Sequence, residues 1–128
     1  MTAQEYARLI GAEIDALDLI LSGTDDADDI ADALAVLELE HLDDHTDAPT
    51  AWMNETALDL SIMRDTRGDH YGSRIEILRT CGGPRCEITR DTRDGIAVIV
   101  SVWNGTDEAH HRMSPQHVAD WLDELATY

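Results

Sequence analysis

Apolar residues recur every three or four positions near the start of the chain, which is the spacing of one face of an α-helix. The apolar stripe covers about five turns, and Thr2 and Glu5 just before it have the spacing of a capping box. Gly23 follows the stripe, and glycine commonly ends helices because it adopts the left-handed conformation easily. The pattern therefore predicts a helix over residues 3–21.

A second, narrower apolar stripe consists of Ile30, Leu34 and Leu37. Thr24 has the position of an N-cap, and aspartates fill the turn after it, where the helix dipole favours carboxylates. These features predict a second helix that ends near residue 38. The helical period then decays, and residues 42–51 contain three aspartates and a proline. We expect a loop or a short, poorly packed helix there.

From Thr56 the apolar period changes to two, which is typical of a half-buried strand. Leu58, Leu60 and Ile62 are the apolar positions of this first strand. Four further strands are predicted near residues 75–80, 86–91, 96–103 and 108–113. The fourth segment is the most apolar, which favours a central position in the sheet. Asn104 with Gly105 is a strong hairpin signal between the last two strands.

The last element is an amphipathic helix predicted over residues 115–127, with Ser114 as N-cap and Pro115 in its first turn. The predicted fold class is α+β: an antiparallel meander of four to five strands, with two N-terminal helices and one C-terminal helix packed on one face. We expect a single domain over residues 1–128. Its parts are an acidic helical part (1–47), the sheet (56–113) and the C-terminal helix.

The predicted core consists of the apolar residues on the inward positions of these helices and strands. They are Leu9, Ile14, Leu17, Ile30, Leu34, Leu58, Leu60, Ile75, Ile77, Ile88, Val98, Val100, Val102, Trp121, Leu122 and Leu125.

The net charge limits which partners the protein can bind, because the formal net charge of the 128 residues is −18. Residues 1–65 carry 17 acids and two arginines, whereas residues 66–128 carry 10 acids and seven arginines; there is no lysine. A surface this negative repels nucleic acid and anionic lipid and attracts basic proteins. No apolar run is long enough to span a membrane, and no basic segment precedes an apolar stretch at the N-terminus. These features predict a soluble, cytoplasmic protein.

Histidine and cysteine are the candidate chemical residues, and neither forms a known catalytic or metal motif. His41 and His45 have the i, i+4 spacing of zinc ligands, with Asp43 and Asp44 nearby, but the helical pattern breaks down there. His110, His111 and His117 also lie close together in sequence. Surface histidines are therefore expected, without a metal or cofactor.

The two cysteines, Cys81 and Cys86, flank a turn and are expected to face each other across a hairpin. Such a pair lies close enough to cross-link with modest adjustment. Closing so short a loop removes little entropy from the unfolded chain. We therefore expect two small, partly buried hydrophobic side chains. An enzyme is expected to place a few polar residues in an apolar pocket, whereas this chain has many acids on its surfaces, so we predict that the protein is not an enzyme.

The most informative feature is an acidic tract over residues 25–47, with ten acids in 23 positions and no arginine. A mostly helical tract carries about one charge per 3.4 Å, close to the spacing along one DNA strand. We predict that these ten carboxylates bind a partner. They are Asp25, Asp26, Asp28, Asp29, Asp32, Glu38, Glu40, Asp43, Asp44 and Asp47.

In size, charge and acidic tract, the chain resembles small acidic proteins that phages and plasmids use against host defence, including antirestriction DNA mimics and some anti-CRISPR proteins. The segment from Arg74 to Trp103 is also similar to small actinobacterial phage proteins, including its Gly82-Gly83-Pro84 turn. The resemblance implies an inhibitor whose carboxylates bind the basic nucleic-acid-binding surface of a defence complex. The partner is then a basic nucleic-acid-binding protein or nucleoprotein complex, with no direct binding of nucleic acid or membrane.

Other functions are compatible with the same sequence. An acidic interaction module, antitoxin-like or regulatory, would also bind a basic protein. In a halophile, the acids would serve only solubility. Apolar residues at the rim, such as Trp52 or Tyr71, are expected to add specificity to any protein contact. The oligomeric state, monomer or homodimer, stays open.

Overall fold

A computed structural model describes residues 1–65, 72–80 and 84–127. The helices are α1 (Ala3–Leu21), α2 (Ala27–Leu37), α3 (Ala48–Thr56) and α4 (Gln116–Ala126), with a 3₁₀ turn at His45–Asp47. The strands are β1 (Asp59–Asp65), β2 (Gly72–Thr80), β3 (Arg85–Asp91), β4 (Val98–Asn104) and β5 (Asp107–Met113). None of the described helices is long and apolar enough to cross a membrane. The α+β prediction is confirmed, with one additional helix, α3.

The five strands form an antiparallel meander in the order β1-β2-β3-β4-β5. The register places Ile77 opposite Ile88, and Ile88 opposite Val100. Their side chains share one face of the sheet, since directly paired residues point to the same side. The β4–β5 hairpin turns at Gly105, whose φ of 64° suits a residue without a side chain. β3 is the central strand, so the prediction for the fourth strand is correct only in placing it inside the sheet.

The helices α1 and α4 pack on the same face of the sheet. α1 approaches β5 so closely at Gly11 that a Cβ there would lie 3.0 Å from Cδ2 of His111. α4 is tied to the sheet by Arg90 of β3, which binds Asp123. The predicted one-sided arrangement is therefore confirmed for α1 and α4, whereas α2 packs against α1. The opposite face of the sheet carries no helix of the described chain.

Two of the predicted helix caps differ in the structure. The Thr2–Glu5 capping box of α1 is confirmed, but α2 is capped by Asp26, whose carboxylate accepts two backbone N–H groups. Thr24 instead accepts a hydrogen bond from the Asp26 backbone N–H. Ser114 does not cap α4 either, because Asp18 of α1 accepts the first N–H groups of that helix. Because the Asp18 carboxylate of α1 accepts these N–H groups, α4 needs no cap from its own sequence.

The prediction for residues 42–51 was wrong in its packing. This segment forms the 3₁₀ turn and the first part of α3, with Pro49 in the first turn of the helix, where its missing N–H costs nothing. Ala48, Pro49 and Trp52 are buried. The short length of α3 hid its apolar face from a periodicity argument, and its stability comes from packing against the core.

Three predicted core residues are exposed. Leu9 on α1 is 51% exposed, Leu58 before β1 is 60% exposed, and Leu60 on β1 is 39% exposed. β1 is an edge strand, so its inward positions lie beyond the helices that cover β2 to β5. The remaining thirteen are buried or half-buried. Cys81, Tyr71 and the Gly82-Gly83 turn lie outside the described residues.

Candidate functional site

All ten predicted partner-binding carboxylates belong to exposed residues, but they do not follow one helix. Asp28, Asp29 and Asp32 lie on α2, whereas Glu38 ends that helix with a left-handed conformation (φ 57°). The other six lie before α2 or in the segment between α2 and α3: Asp25, Asp26, Glu40, Asp43, Asp44 and Asp47. The tract is therefore not one continuous helix with evenly spaced charges, because α2 ends at Leu37 and only the short 3₁₀ turn at His45–Asp47 follows within the tract. We call these ten residues the acidic surface.

Two members of the acidic surface also hold local structure. Oδ1 of Asp26 accepts the N–H groups of Asp28 and Asp29 at 3.0 and 3.1 Å. Oδ1 of Asp44 accepts both the backbone N–H and the hydroxyl of Thr46. These hydrogen bonds hold the pKa of Asp44 below its usual value. The other eight carboxylates make no such bond within the described chain.

The acidic surface differs from the rest of the protein in its ion pairing. Within the described ranges, none of its ten carboxylates forms an ion pair. Five acids of the second half are bound to arginines, in the pairs Arg74–Glu76, Arg85–Glu87, Arg90–Asp123, Arg93–Asp91 and Arg112–Asp94, and Glu13 of α1 is bound to Arg79. Hydrogen bonds from the arginines hold the pKa values of Asp91 and Asp94 below the usual range. The ten carboxylates on α2 and on the segments that flank it therefore have no counter-charge within the described chain.

A groove of about 370 Å³ separates α1 from α2 beside the acidic surface. Its floor includes Leu19 and Val36, and its carboxylates are Asp15, Asp29 and Asp32. Partial burial and the neighbouring charge of Asp18 raise the pKa of Asp15 above its usual value, although His111 opposes the shift. The sequence did not single out Asp15. In the sequence Asp15 is only a polar position beside the first apolar stripe, so no sequence signal connects it with α2.

Trp52 is not a rim residue, contrary to the sequence expectation. It is 2% exposed, and its Nε1 donates to Oε1 of Glu13 at 3.0 Å. The same carboxylate oxygen accepts from Nη1 of Arg79 at 3.0 Å, and the Arg79 guanidinium lies 5.4 Å from the centre of a Trp52 ring. This cluster joins α1, α3 and β2, so its role is structural. Tyr71, the other expected rim residue, is outside the described ranges.

The face of the sheet opposite the helices has a depression of about 520 Å³. At its border, His110 joins Ser101 and Glu108: Nδ1 lies 2.8 Å from the Ser101 hydroxyl, and Nε2 lies 2.6 Å from Glu108 Oε1. A serine next to a histidine and a carboxylate is the arrangement of serine hydrolases. However, Ser101 lies on a strand that is paired on both sides, so the backbone N–H groups around it belong to ladders. They are not placed to stabilise an oxyanion.

The other candidate metal ligands and nucleophiles do not form a cluster within the described chain. His41 lies 3.8 Å from Glu55, and no three His, Cys, Asp or Glu side chains among the described residues lie close enough together to hold a metal ion. Cys86 is fully buried, and burial raises the pKa of its thiol to about 11. A thiol in this state is a poor nucleophile. Its position opposite Thr80 and Val102 makes it part of the core.

Comparison of the chain with protein-family models, with curated proteins and with solved structures gives no match.

Proposed function

We propose that this protein is a stoichiometric inhibitor that acts in the cytoplasm of a host cell. Its acidic surface binds the basic nucleic-acid-binding surface of a defence complex, such as a restriction enzyme or a CRISPR effector, and excludes nucleic acid from it. The activity requires no catalysis and no cofactor. The observation that carries the proposal is the uneven ion pairing, with ten exposed carboxylates that have no arginine partner within the described chain.

The uneven pairing supports a binding role because the chain has arginines that pair with acids elsewhere. Carboxylates three or four positions apart on a helix repel each other, and each such pair costs a few tenths of a kcal/mol. Asp28, Asp29 and Asp32 have this relation on α2. A basic partner removes the repulsion and gains charge-assisted hydrogen bonds at the same time. It also associates faster because opposite charges steer the encounter.

Simple adaptation to salt is the main competing explanation, and it makes a different prediction for folding. A protein that requires high salt to screen its charge loses its circular-dichroism signal in dilute buffer and regains it at molar salt. At about 0.15 M salt the Debye length is still about 8 Å. We expect a cooperative fold under that condition, because arginines already pair with five acids of the second half. A protein that folds only above about 1 M salt would rule out the proposal.

The binding experiment compares two variants of equal net charge. In the first, Asp28, Asp29 and Asp32 of α2 are changed to asparagine. In the second, three exposed acids outside the acidic surface are changed to their amides: Asp59, Asp120 and Glu124. The side chains of these six residues make no hydrogen bond within the described chain, so both variants keep the fold. Acids such as Asp107, which accepts the Ala3 N–H, are unsuitable controls.

The target is first captured on the immobilised protein from host lysate at low salt and eluted at high salt. Displacement of fluorescent DNA from the captured complex then measures inhibition. We expect the α2 variant to inhibit about tenfold less well or worse, with a shallower salt dependence, and the control to stay within about twofold of the wild type. Equal weakening of both variants would show that net charge alone is responsible. Capture of a basic protein without nucleic-acid-binding activity would favour an antitoxin-like or regulatory module.

A further inference from the structure

The apolar part of the groove between α1 and α2 gives it a property that the acidic surface alone lacks. Val36 is 48% exposed on the groove floor, next to the half-buried Leu19 and the small side chain of Ala12. Val36 also borders a second cavity of about 190 Å³, which includes Leu9, itself 51% exposed. The two depressions therefore meet at Val36. Their exposed apolar side chains, Leu9 and Val36 with the half-buried Leu19, form an apolar strip, and Glu13, Glu38 and Arg79 line the second cavity beside it.

The charges around this strip define which ligand fits it. Asp29 and Asp32 approach the groove from α2, and Asp15 approaches it from α1. Nucleic acid, an anionic lipid surface and a second copy of this chain would each bring negative charge to these carboxylates. A purely polar cationic segment would leave the apolar strip in contact with water. An amphipathic segment that carries lysine or arginine beside an apolar stripe satisfies both parts.

We propose that the groove between α1 and α2 binds a basic amphipathic helix of the target protein, with an apolar side chain against Val36 and basic side chains on Asp15, Asp29 and Asp32. The identity of the target rests on the proposed function, whereas the groove and its preference for an amphipathic cation do not. Burial of the apolar strip adds specificity that screened charges cannot supply, because the strip recognises the spacing of apolar residues on the helix.

The test uses two synthetic 18-residue peptides of equal charge. One contains leucine and lysine with leucine at helical spacing, and the other has serine in place of every leucine. Binding is measured by fluorescence anisotropy at 0.5 M salt, where exposed charges are largely screened. We expect the leucine peptide to bind the wild-type protein at least about fivefold more tightly than the serine peptide, since it buries apolar area in the groove. Equal affinities would overturn the proposal.

Matched variants locate the binding site. Val36→Ser removes apolar contact from the groove, and Met63→Ser does the same on β1, where Met63 is 47% exposed. Neither side chain is buried, so both variants keep the fold. We expect Val36→Ser to weaken leucine-peptide binding about threefold to fivefold and Met63→Ser to change it less than twofold. Ala12→Phe, which fills the groove without removing apolar surface, is expected to weaken binding as well. Similar effects of the two serine variants would overturn the proposal.

The outcome is separable from that of the proposed function. If Val36→Ser leaves peptide binding unchanged while the α2 variant still loses inhibition, the acidic surface works without the groove and this inference fails. If Val36→Ser weakens peptide binding but the α2 variant inhibits normally, the groove binds its amphipathic ligand and the proposed inhibition fails.

Discussion

Replacement of Arg90 tests the internal anchoring of the fold, because this arginine is 2% exposed and uses all five of its N–H groups. Nε and Nη2 donate to the two carboxylate oxygens of Asp123 at 2.9 and 3.0 Å. The remaining donors bind the backbone carbonyls of Asp94, Gly95 and Ala97. Arg90 therefore joins α4 to the loop between β3 and β4, and we predict that Arg90→Ala strongly destabilises the protein.

The size of the effect follows from what the substitution leaves behind. The Asp123 side chain is 32% exposed, so water can hydrate part of its carboxylate when Arg90 is removed. Loss of the ion pair therefore costs less free energy than it would for a fully buried pair. Gly95 is exposed and its carbonyl is rehydrated, whereas Ala97 is 5% exposed and its carbonyl loses a partner. The substitution also removes the packing of the aliphatic part of the Arg90 side chain. In total, we expect the free energy of unfolding to fall by about 3–5 kcal/mol. For a domain of this size, that lowers Tm by roughly 10–20 °C.

Urea denaturation followed by circular dichroism measures the loss, and Arg112→Ala is the control. Arg112 also donates from two nitrogens to one carboxylate, that of Asp94, but the Arg112 side chain is 59% exposed. Exposed pairs contribute at most about 1 kcal/mol, so the control should change stability little. Arg90→Lys keeps the charge without the planar fork and is expected to recover less than half of the loss. A loss below about 1 kcal/mol for Arg90→Ala would refute the anchoring argument.

Three further predictions concern single residues. Asp18→Ala removes the cap of α4 and should cost about 0.5–2 kcal/mol in urea denaturation, with Asp18→Asn retaining part of the stability. In a Cys81→Ser variant, the Cys86 thiol should react with a disulfide reagent at pH 8 only as fast as the protein unfolds, because burial raises its pKa to about 11; fast reaction of the folded protein would contradict its burial. The raised pKa of Asp15 makes its ionisation unfavourable in the folded state, so Asp15→Asn should stabilise the protein most at neutral pH. This advantage should shrink as the pH falls through the raised pKa and should vanish below the ordinary value of 3.8, as measured by denaturation at several pH values.

The elements that were predicted correctly depend on neighbours in sequence. The capping box at Thr2 and Glu5 involves residues three positions apart, and the alternation in β2 to β4 is a property of each strand alone. The hairpin at Gly105 is equally local. Such features can be found in the sequence because the forces that create them act over a single turn or a single pair of residues.

The wrong predictions share a different cause, which is that covering a side chain requires a partner from elsewhere in the fold. Leu9 has the helical spacing of a core residue, yet it is 51% exposed, whereas Trp52 was expected at the rim and is buried against Arg79 and Glu13. Likewise, the cap of α4 comes from Asp18, about a hundred residues earlier. Periodicity identifies an apolar face but does not state which part of that face is covered.

The candidate site could be predicted in part. Exposure of the ten acids follows from their density, since unpaired charges are almost never buried. Pairs such as Arg74–Glu76 are also accessible to sequence reasoning, because residues two apart on a strand share a face. The pair between Arg112 and Asp94 depends on the strand register, and the groove depends on how α2 docks on α1. Neither can be derived without the tertiary structure.

The position of the unpaired charge within the fold links binding to stability. α2 carries three of the ten acids and buries only Ala33 and Leu37, with Ile30 and Leu34 half-buried, whereas α1 buries eight residues along its length. The repulsion therefore acts on a helix with few apolar contacts to offset it, next to the groove. A basic partner that neutralises these carboxylates and covers Val36 removes the repulsion and adds apolar burial to α2. By mass action, such a partner stabilises the folded protein by an amount that rises with the logarithm of its concentration divided by Kd. The same unpaired acids therefore destabilise the isolated protein and stabilise the complex.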